Sequence, residues 1–167
     1  MCGIIGYCGK KPAVPVVLEA LKCLEYRGYD SAGIASLSDG KLLIRKDAGK
    51  IDEVIQKHNL ASLPGNIAIG HTRWATHGAA TQFNAHPHSD CGDRVAVVHN
   101  GIIENNQELR QELTKMGHQF SSETDTEVIP HLLEDELKNG CPLEQAVLNI
   151  APKLDGSYAF LVASLDD

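Results

Sequence analysis

The order in which two hydrophobic periods alternate along the chain restricts its fold more than any other feature. Period-2 or continuous apolar runs read as strands at Gly3 to Cys8, Ser31 to Leu37, Lys41 to Lys46, Ile67 to Trp74, Arg94 to His99 and Ser157 to Leu165. Helical spacing covers Ala13 to Tyr26 through Val17, Leu18, Leu21 and Leu24, then Ile51 to Asn59, Asn105 to Met116, Thr124 to about Lys138, and Pro142 to Leu154. Hairpins and helices thus come in blocks, which favours α+β layering over a regular parallel βαβ alternation. Local signals agree: Pro15 falls in a first helical turn, Asp39-Gly40 favours a tight hairpin, and Gly117 ends a helix. Thr124-x-x-Glu127 has capping-box form and predicts the next helix start, with Pro130 predicting a kink or a distorted first turn. The polar stretch from Ala75 to Asp93 has no period of its own, and an aperiodic loop of that length in a compact domain points to function.

With 167 residues, 43% of them hydrophobic, the chain can build one sizeable core, which excludes separate donor and acceptor domains. No apolar run approaches the ~20 residues of a membrane span, and no basic segment precedes Ile4-Ile5, so secretion and membrane insertion are not expected. The net charge of −7, without a basic stripe, argues against nucleic acid or an anionic membrane as partner. Five scattered cysteines without a C-x-x-C pair form neither a disulfide scaffold nor a zinc ribbon, which fits a reducing cytoplasm. Burial is the default expectation for Cys8, Cys23, Cys91 and Cys141.

Cys2 stands apart. Removal of Met1 would give it a free α-amine, and an amine near ~7.7–8.0 beside a thiol near ~8.5 makes one residue both nucleophile and base. From position alone it reads first as a buried small hydrophobic side chain that happens to stand second. Asn100-Gly101 reads by itself as a type I′ hairpin turn, and alternatively as a side-chain amide and a backbone N–H aimed at an oxyanion. Arg73, in HTRWATHG from His71, can clamp a carboxylate with two parallel hydrogen bonds, or form an ordinary surface ion pair. Asp125 sits where helix capping alone would place a carboxylate. His71, His77, His86 and His88 have no thiolate or carboxylate at ligand spacing beside them, so no metal is expected there.

Jointly, Cys2-Gly3-Ile4-Ile5-Gly6, YRGYDSAG from Tyr26, HTRWATHG, Asn84-Ala85-His86-Pro87-His88, VVHNGIIEN from Val97 and SETDTEV from Ser122 resemble the class II glutamine amidotransferases. The likeness is greatest to the glutaminase domains of the family that aminates fructose 6-phosphate. It implies an N-terminal nucleophile hydrolase fold, a four-layer αββα sandwich, and a site free of cofactors. It implies Cys2 as nucleophile, Asn100 and Gly101 as the oxyanion hole, Arg73 and Asp125 holding the charged ends of glutamine, and Thr76 and His77 adding hydrogen bonds. Trp74 and the loop through Gly78 would close over the substrate, Arg27 would position the N-terminus, and His86 would support the site. By the same resemblance the chain, 1–167, is the N-terminal and larger part of a glutaminase domain, C-terminally truncated and without its sugar-phosphate isomerase domains. The parent would be a cytoplasmic homo-oligomer that meets fructose 6-phosphate only through that missing part. A fragment that binds glutamine without catalysis, or a glutaminase serving another acceptor, are the alternatives.

Overall fold

The computed structural model describes residues 2–74 and 78–165. Its strands are β1 (Gly3–Cys8), β2 (Ser31–Ser38), β3 (Lys41–Ala48), β4 (Ile67–Arg73), β5 (His88–Ser89), β6 (Val95–Ile103) and β7 (Gly156–Ser164); its helices are α1 (Ala13–Leu24), α2 (Ile51–His58), α3 (Asn106–Met116), α4 (Val128–Lys138) and α5 (Leu143–Ile150). The strands form two antiparallel sheets, ordered β1-β4-β2-β3 and β5-β6-β7.

Strand alternation assigns each side chain to a layer. In β2, Ala32 and Ile34 pack with Val14, Val17, Leu18 and Leu21 of α1 and Val54 of α2, whereas Ala35 and Leu37 face the other sheet. In β6, Val95 and Val97 meet α3, α4 and α5 through Leu109, Leu113, Ile129, Leu133 and Ile150, whereas Ala96 and Val98 turn inward. The inward residues of both sheets, with Ile4, Ile69, Leu161 and Ala163, form a third cluster between them. The result is the expected four-layer αββα sandwich, whose two sheets must be hydrophobic on both faces.

Asp39 and Gly40, both at positive φ (50° and 68°), make the hairpin that the sequence predicts. Four expectations change. Asn100-Gly101 is no turn: β6 runs through it to Ile103, paired in register with β7 from His99↔Phe160 to Ile103↔Gly156. Pairing along the whole strand overrides the local preference of the dipeptide. The capping box at Thr124 does not form; α4 begins at Val128, because Glu127 turns back to accept the N–H groups of Ser121 and Ser122, both at 2.7 Å. Pro130 is then the third residue of α4, in the first turn, where its missing N–H costs nothing. The helix from Pro142 gives way after Ile150 to a 3₁₀ turn, Ala151–Lys153, at Pro152. The stretch 84–90 is not a surface loop either. Asn84, His86, His88 and Asp90 are buried, and β5 pairs with β6.

Candidate active site

The same alternation brings the candidate residues to one end of the space between the sheets. Cys2 continues the inward row of Ile4 in β1, and His71 and Arg73 continue that of Ile69 in β4. Asn100 continues that of Ala96 and Val98 in β6. The Cys2 sulfur, at the half-exposed strand end, accepts the Trp74 N–H at 3.1 Å. The Asn100 side-chain amide donates to the Cys2 carbonyl at 2.9 Å, and its oxygen lies 3.1 Å from His71 Nε2. One chain of polar contacts therefore crosses from β4 through β6 to β1.

Arg73 is buried, 4% exposed, and its guanidinium faces the carbonyls of Ala79 and Gly78 at 3.4 and 3.5 Å. Burial pulls its pKa down, while the nearby charges of Cys2, Asp125 and Asp30 act in the opposite direction. Asp125 is also buried and accepts the Ile103 N–H at 2.8 Å, which fixes its carboxylate to the end of β6. Arg73 thus lies within electrostatic reach of both Cys2 and Asp125.

The backbone around them is held by contacts that spacing could not show. The segment carrying Asp125 is clamped by Arg110, which donates to the carbonyls of Ser122 (3.0 Å) and Thr124 (2.8 Å). It is clamped again by Glu127, and by Asn84, whose oxygen accepts the Glu123 N–H at 2.9 Å. His88 and His99 reach Thr124 and Thr126 at 3.0 and 2.8 Å. Lys46 donates to the Pro87 carbonyl at 2.8 Å and so ties the buried stretch to β3; burial brings its ammonium down to about 8. Two glycines of YRGYDSAG permit close approach: Gly28 lies against the Arg73–Trp74 backbone, and a side chain at Gly33 would collide with the His86 carbonyl. Gly101 has φ 126°, and a Cβ there would strike the Ser157 carbonyl.

His86 packs against His71 with ring centroids 4.2 Å apart and planes tilted by 31°, and lies edge-on against His88 at 4.9 Å. Burial disfavours the charged form of these rings: it lowers His71 to about 3, His86 and His88 well below the usual range, and His99 in the same direction against the nearby Asp125. Trp74 is 46% exposed, edge-on to Tyr29. Gly78 has φ 74° and is exposed, next to Asn84. Among the described residues the guanidinium of the half-buried Arg27 meets only Tyr26, donating to its hydroxyl at 3.1 Å. Thr76 and His77 lie outside the described residues. Cys8, Cys23 and Cys91 are exposed, contrary to the expectation of burial, because each occupies a strand end, an outer helix face or a turn. His71, Arg110 and Glu127 are site residues that the sequence reading did not assign. His71 had a usable signal, as a polar side chain on the inward parity of β4.

A two-sheet sandwich between helical layers, with a thiol at the head of its first strand, is the architecture of the N-terminal nucleophile amidotransferases. The structure superimposes on a glutamine phosphoribosylpyrophosphate amidotransferase from B. subtilis with a TM-score of 0.83 and 32% identity, covering 99% of this chain and 35% of that one. A family model described as a glutamine amidotransferase domain matches residues 71–167. Over its full length the chain is 59% identical to a glutamine–fructose-6-phosphate aminotransferase (isomerizing) of Pyrococcus horikoshii, and 52% identical to that of Aquifex aeolicus. It spans 28% of the length of each of these relatives. The chain belongs to the class II glutamine amidotransferase domain family. No helix among the described residues is long and apolar enough to cross a membrane.

Proposed function

We propose that this chain, as the glutaminase part of a longer enzyme, hydrolyses glutamine to glutamate and ammonia at Cys2, and that the ammonia aminates fructose 6-phosphate to glucosamine 6-phosphate. Residues 1–167 are the N-terminal and larger part of the glutaminase domain. The sugar-phosphate isomerase domains belong to the rest of a cytoplasmic homo-oligomer in amino-sugar biosynthesis. The observation that carries this reading is the setting of the Cys2 sulfur: 3.1 Å from the Trp74 N–H, with the Asn100 amide 2.9 Å from the carbonyl of the same residue.

The proposed steps follow from the residues. Once Met1 is removed, the Cys2 α-amine takes the thiol proton as sulfur attacks the carboxamide carbon. The tetrahedral oxyanion receives the side-chain N–H of Asn100 and the backbone N–H of Gly101. An amide nitrogen has two hydrogens, and the bond to the Cys2 carbonyl uses one. The α-ammonium then returns its proton to the leaving nitrogen, ammonia departs, and water hydrolyses the thioester. Arg73 pairs with the α-carboxylate and Asp125 with the α-ammonium of glutamine, with Thr76 and His77 adding hydrogen bonds. Trp74 and the turn at Gly78 cover the bound substrate and exclude water. His86 supports the site through its packing against His71, and Arg27 supports it from the turn before β2.

Mass spectrometry of the chain treated with a glutamine-mimicking electrophile such as diazo-oxo-norleucine tests the reading. Loss of Met1 and a single adduct on Cys2, together with ammonia release from glutamine, are expected. Undiminished ammonia release by Cys2→Ala would overturn it, and glutamine binding without ammonia release would favour a non-catalytic module.

A further inference from the structure

Four side chains from three separate segments converge on the β5-β6-β7 side of the sandwich, apart from the residues around Cys2. They are Cys91 in the turn between β5 and β6, His118 just after α3, and His131 and Glu134 on α4. Their candidate ligand atoms all lie within 4.8 Å of one another. Cys91 Sγ is 3.8 Å from His118 Nδ1 and 3.7 Å from His131 Nδ1; Glu134 Oε2 is 3.0 Å from His118 Nδ1 and 3.4 Å from His131 Nδ1. A tetrahedral zinc with bonds of about 2.0–2.3 Å separates its ligand atoms by roughly 3.3–3.8 Å. Three of these four distances fall in that range, and the fourth, the 3.0 Å hydrogen-bond distance between His118 and Glu134, would lengthen by a few tenths of an ångström on coordination. We propose that Cys91, His118, His131 and Glu134 form a structural site for a divalent cation of the zinc class.

Three of the four ligands have the supporting contacts of a metal site, while His131 Nε2 is buried without a partner among the described residues. His118 turns its other nitrogen, Nε2, to Asp135 at 3.1 Å, a carboxylate that would fix the ring with its Nδ1 lone pair on the metal. Glu134 divides its oxygens: Oε1 takes Lys138 at 2.6 Å, while Oε2 faces the cluster. The Gln119 N–H points at the Cys91 sulfur at 3.4 Å, a donor suited to a thiolate. His118, His131 and Glu134 are buried, and Cys91 is exposed, so the cluster is closed on three sides and open to an entering ion on the fourth. Charge balances as well: one thiolate, one carboxylate and two neutral imidazoles cancel a 2+ ion, and a neutral unit is the one that burial tolerates. On binding, the thiol proton of Cys91 leaves to solvent, any proton on the two ligating Nδ1 atoms leaves to solvent or moves to the other ring nitrogen, and two metal–nitrogen bonds, one metal–sulfur bond and one metal–oxygen bond replace the bonds of the ion to water. The mixed sulfur, nitrogen and oxygen set disfavours magnesium and calcium, which take oxygen alone. Such an ion would staple the β5–β6 turn and the α3–α4 connection to α4.

Cobalt(II) titration of the chelator-treated chain, in a Cys2→Ala background that removes the proposed nucleophilic thiol, tests this. One cobalt per chain is expected, with the near-ultraviolet charge-transfer band of a cobalt–thiolate bond and the intense visible bands of a tetrahedral ion, both bleached by added zinc. Cys91→Ser, at an exposed position with folding checked by circular dichroism, is expected to lose the charge-transfer band. Asp135→Asn is expected to weaken binding by roughly 10–100-fold while keeping the band. Zinc is expected to raise the thermal midpoint of the parent chain and not that of Cys91→Ser. A weak octahedral spectrum, no stoichiometric binding, or a charge-transfer band that survives in Cys91→Ser would overturn the proposal.

Discussion

His71 Nε2 lies 3.1 Å from the side-chain oxygen of Asn100, a bond between the two sheets that decides which way the Asn100 amide points. An amide oxygen only accepts, so Nε2 carries the ring proton and Nδ1, buried and unpartnered among the described residues, does not. With its oxygen held by His71, Asn100 must present its NH₂ toward Cys2, which is where the 2.9 Å bond to the Cys2 carbonyl is found. His71→Leu is therefore expected to lower kcat for ammonia release about tenfold, the value of one lost hydrogen bond of ~1.4 kcal/mol, with little change in KM. A KM rise with kcat unchanged would separate His71 from the orientation of Asn100.

Asn100→Ala removes the proposed oxyanion donor itself. A loss of about 10²–10³ in kcat is expected, with KM for glutamine nearly unaltered. Arg73→Lys should show the reverse split, because a lysine cannot make two parallel bonds to the substrate carboxylate: KM rises roughly tenfold or more and kcat falls less. Steady-state ammonia release as a function of glutamine concentration distinguishes the two patterns.

Gly33 and Gly40 give a contrast in stability. Any side chain at Gly33 meets the His86 carbonyl and the Lys46 backbone, so Gly33→Val is expected to cost about 3 kcal/mol and to loosen the buried stretch 84–90. Gly40 has open space around it and only its positive φ of 68° to satisfy, so Gly40→Ala should cost about 1 kcal/mol. Urea midpoints of the two variants check the difference. Equal losses would mean that the approach of His86 to β2 is not close in solution.

Acid should unfold this chain earlier than its carboxylates alone would dictate. His71, His86 and His88 are held neutral by burial, with His71 lowered to about 3, and His99 is pushed in the same direction, so between the folded values and about 6.5 the unfolded chain binds more protons than the folded one. Their effect is absent above about pH 6.5, and stability falls as pH drops below it, by about 1.4 kcal/mol per pH unit for each such histidine. Asp47, lowered to about 2 through its bonds to His58, Lys57 and the Ala48 N–H against the cost of burial, adds a later loss. Its contribution is present above about 3.8 and disappears as pH falls through about 2. Denaturant midpoints measured from pH 7.5 to 4.5 should decline; a flat profile would show that the histidines are solvated.

Most elements were legible in the sequence, because burial on both faces of β2, β4 and β6 leaves apolar runs and the helices keep their period. Asp39-Gly40 was read correctly and Asn100-Gly101 was not. Both dipeptides suit a hairpin, but only the second has a neighbouring strand, β7, to pair with along its whole length. The capping box failed for a related reason: Glu127, which would have closed it, instead holds the backbone of Ser121 and Ser122. Such competition between a local motif and a distant partner leaves no mark in spacing.

The sequence alone determined the layers, since the parity of inward and outward side chains along a strand is a local property. It also placed Arg73 within a strand, Cys2 directly before one and Asn100 directly after one. Only the tertiary structure decided that these strand ends meet, that His71 sets the direction of the Asn100 amide, and that Cys91, His118, His131 and Glu134 come within 4.8 Å of one another. Those relationships depend on how the sheets stack and on how the turns pack against α4, and distances of that kind are fixed by contacts between residues far apart in the chain.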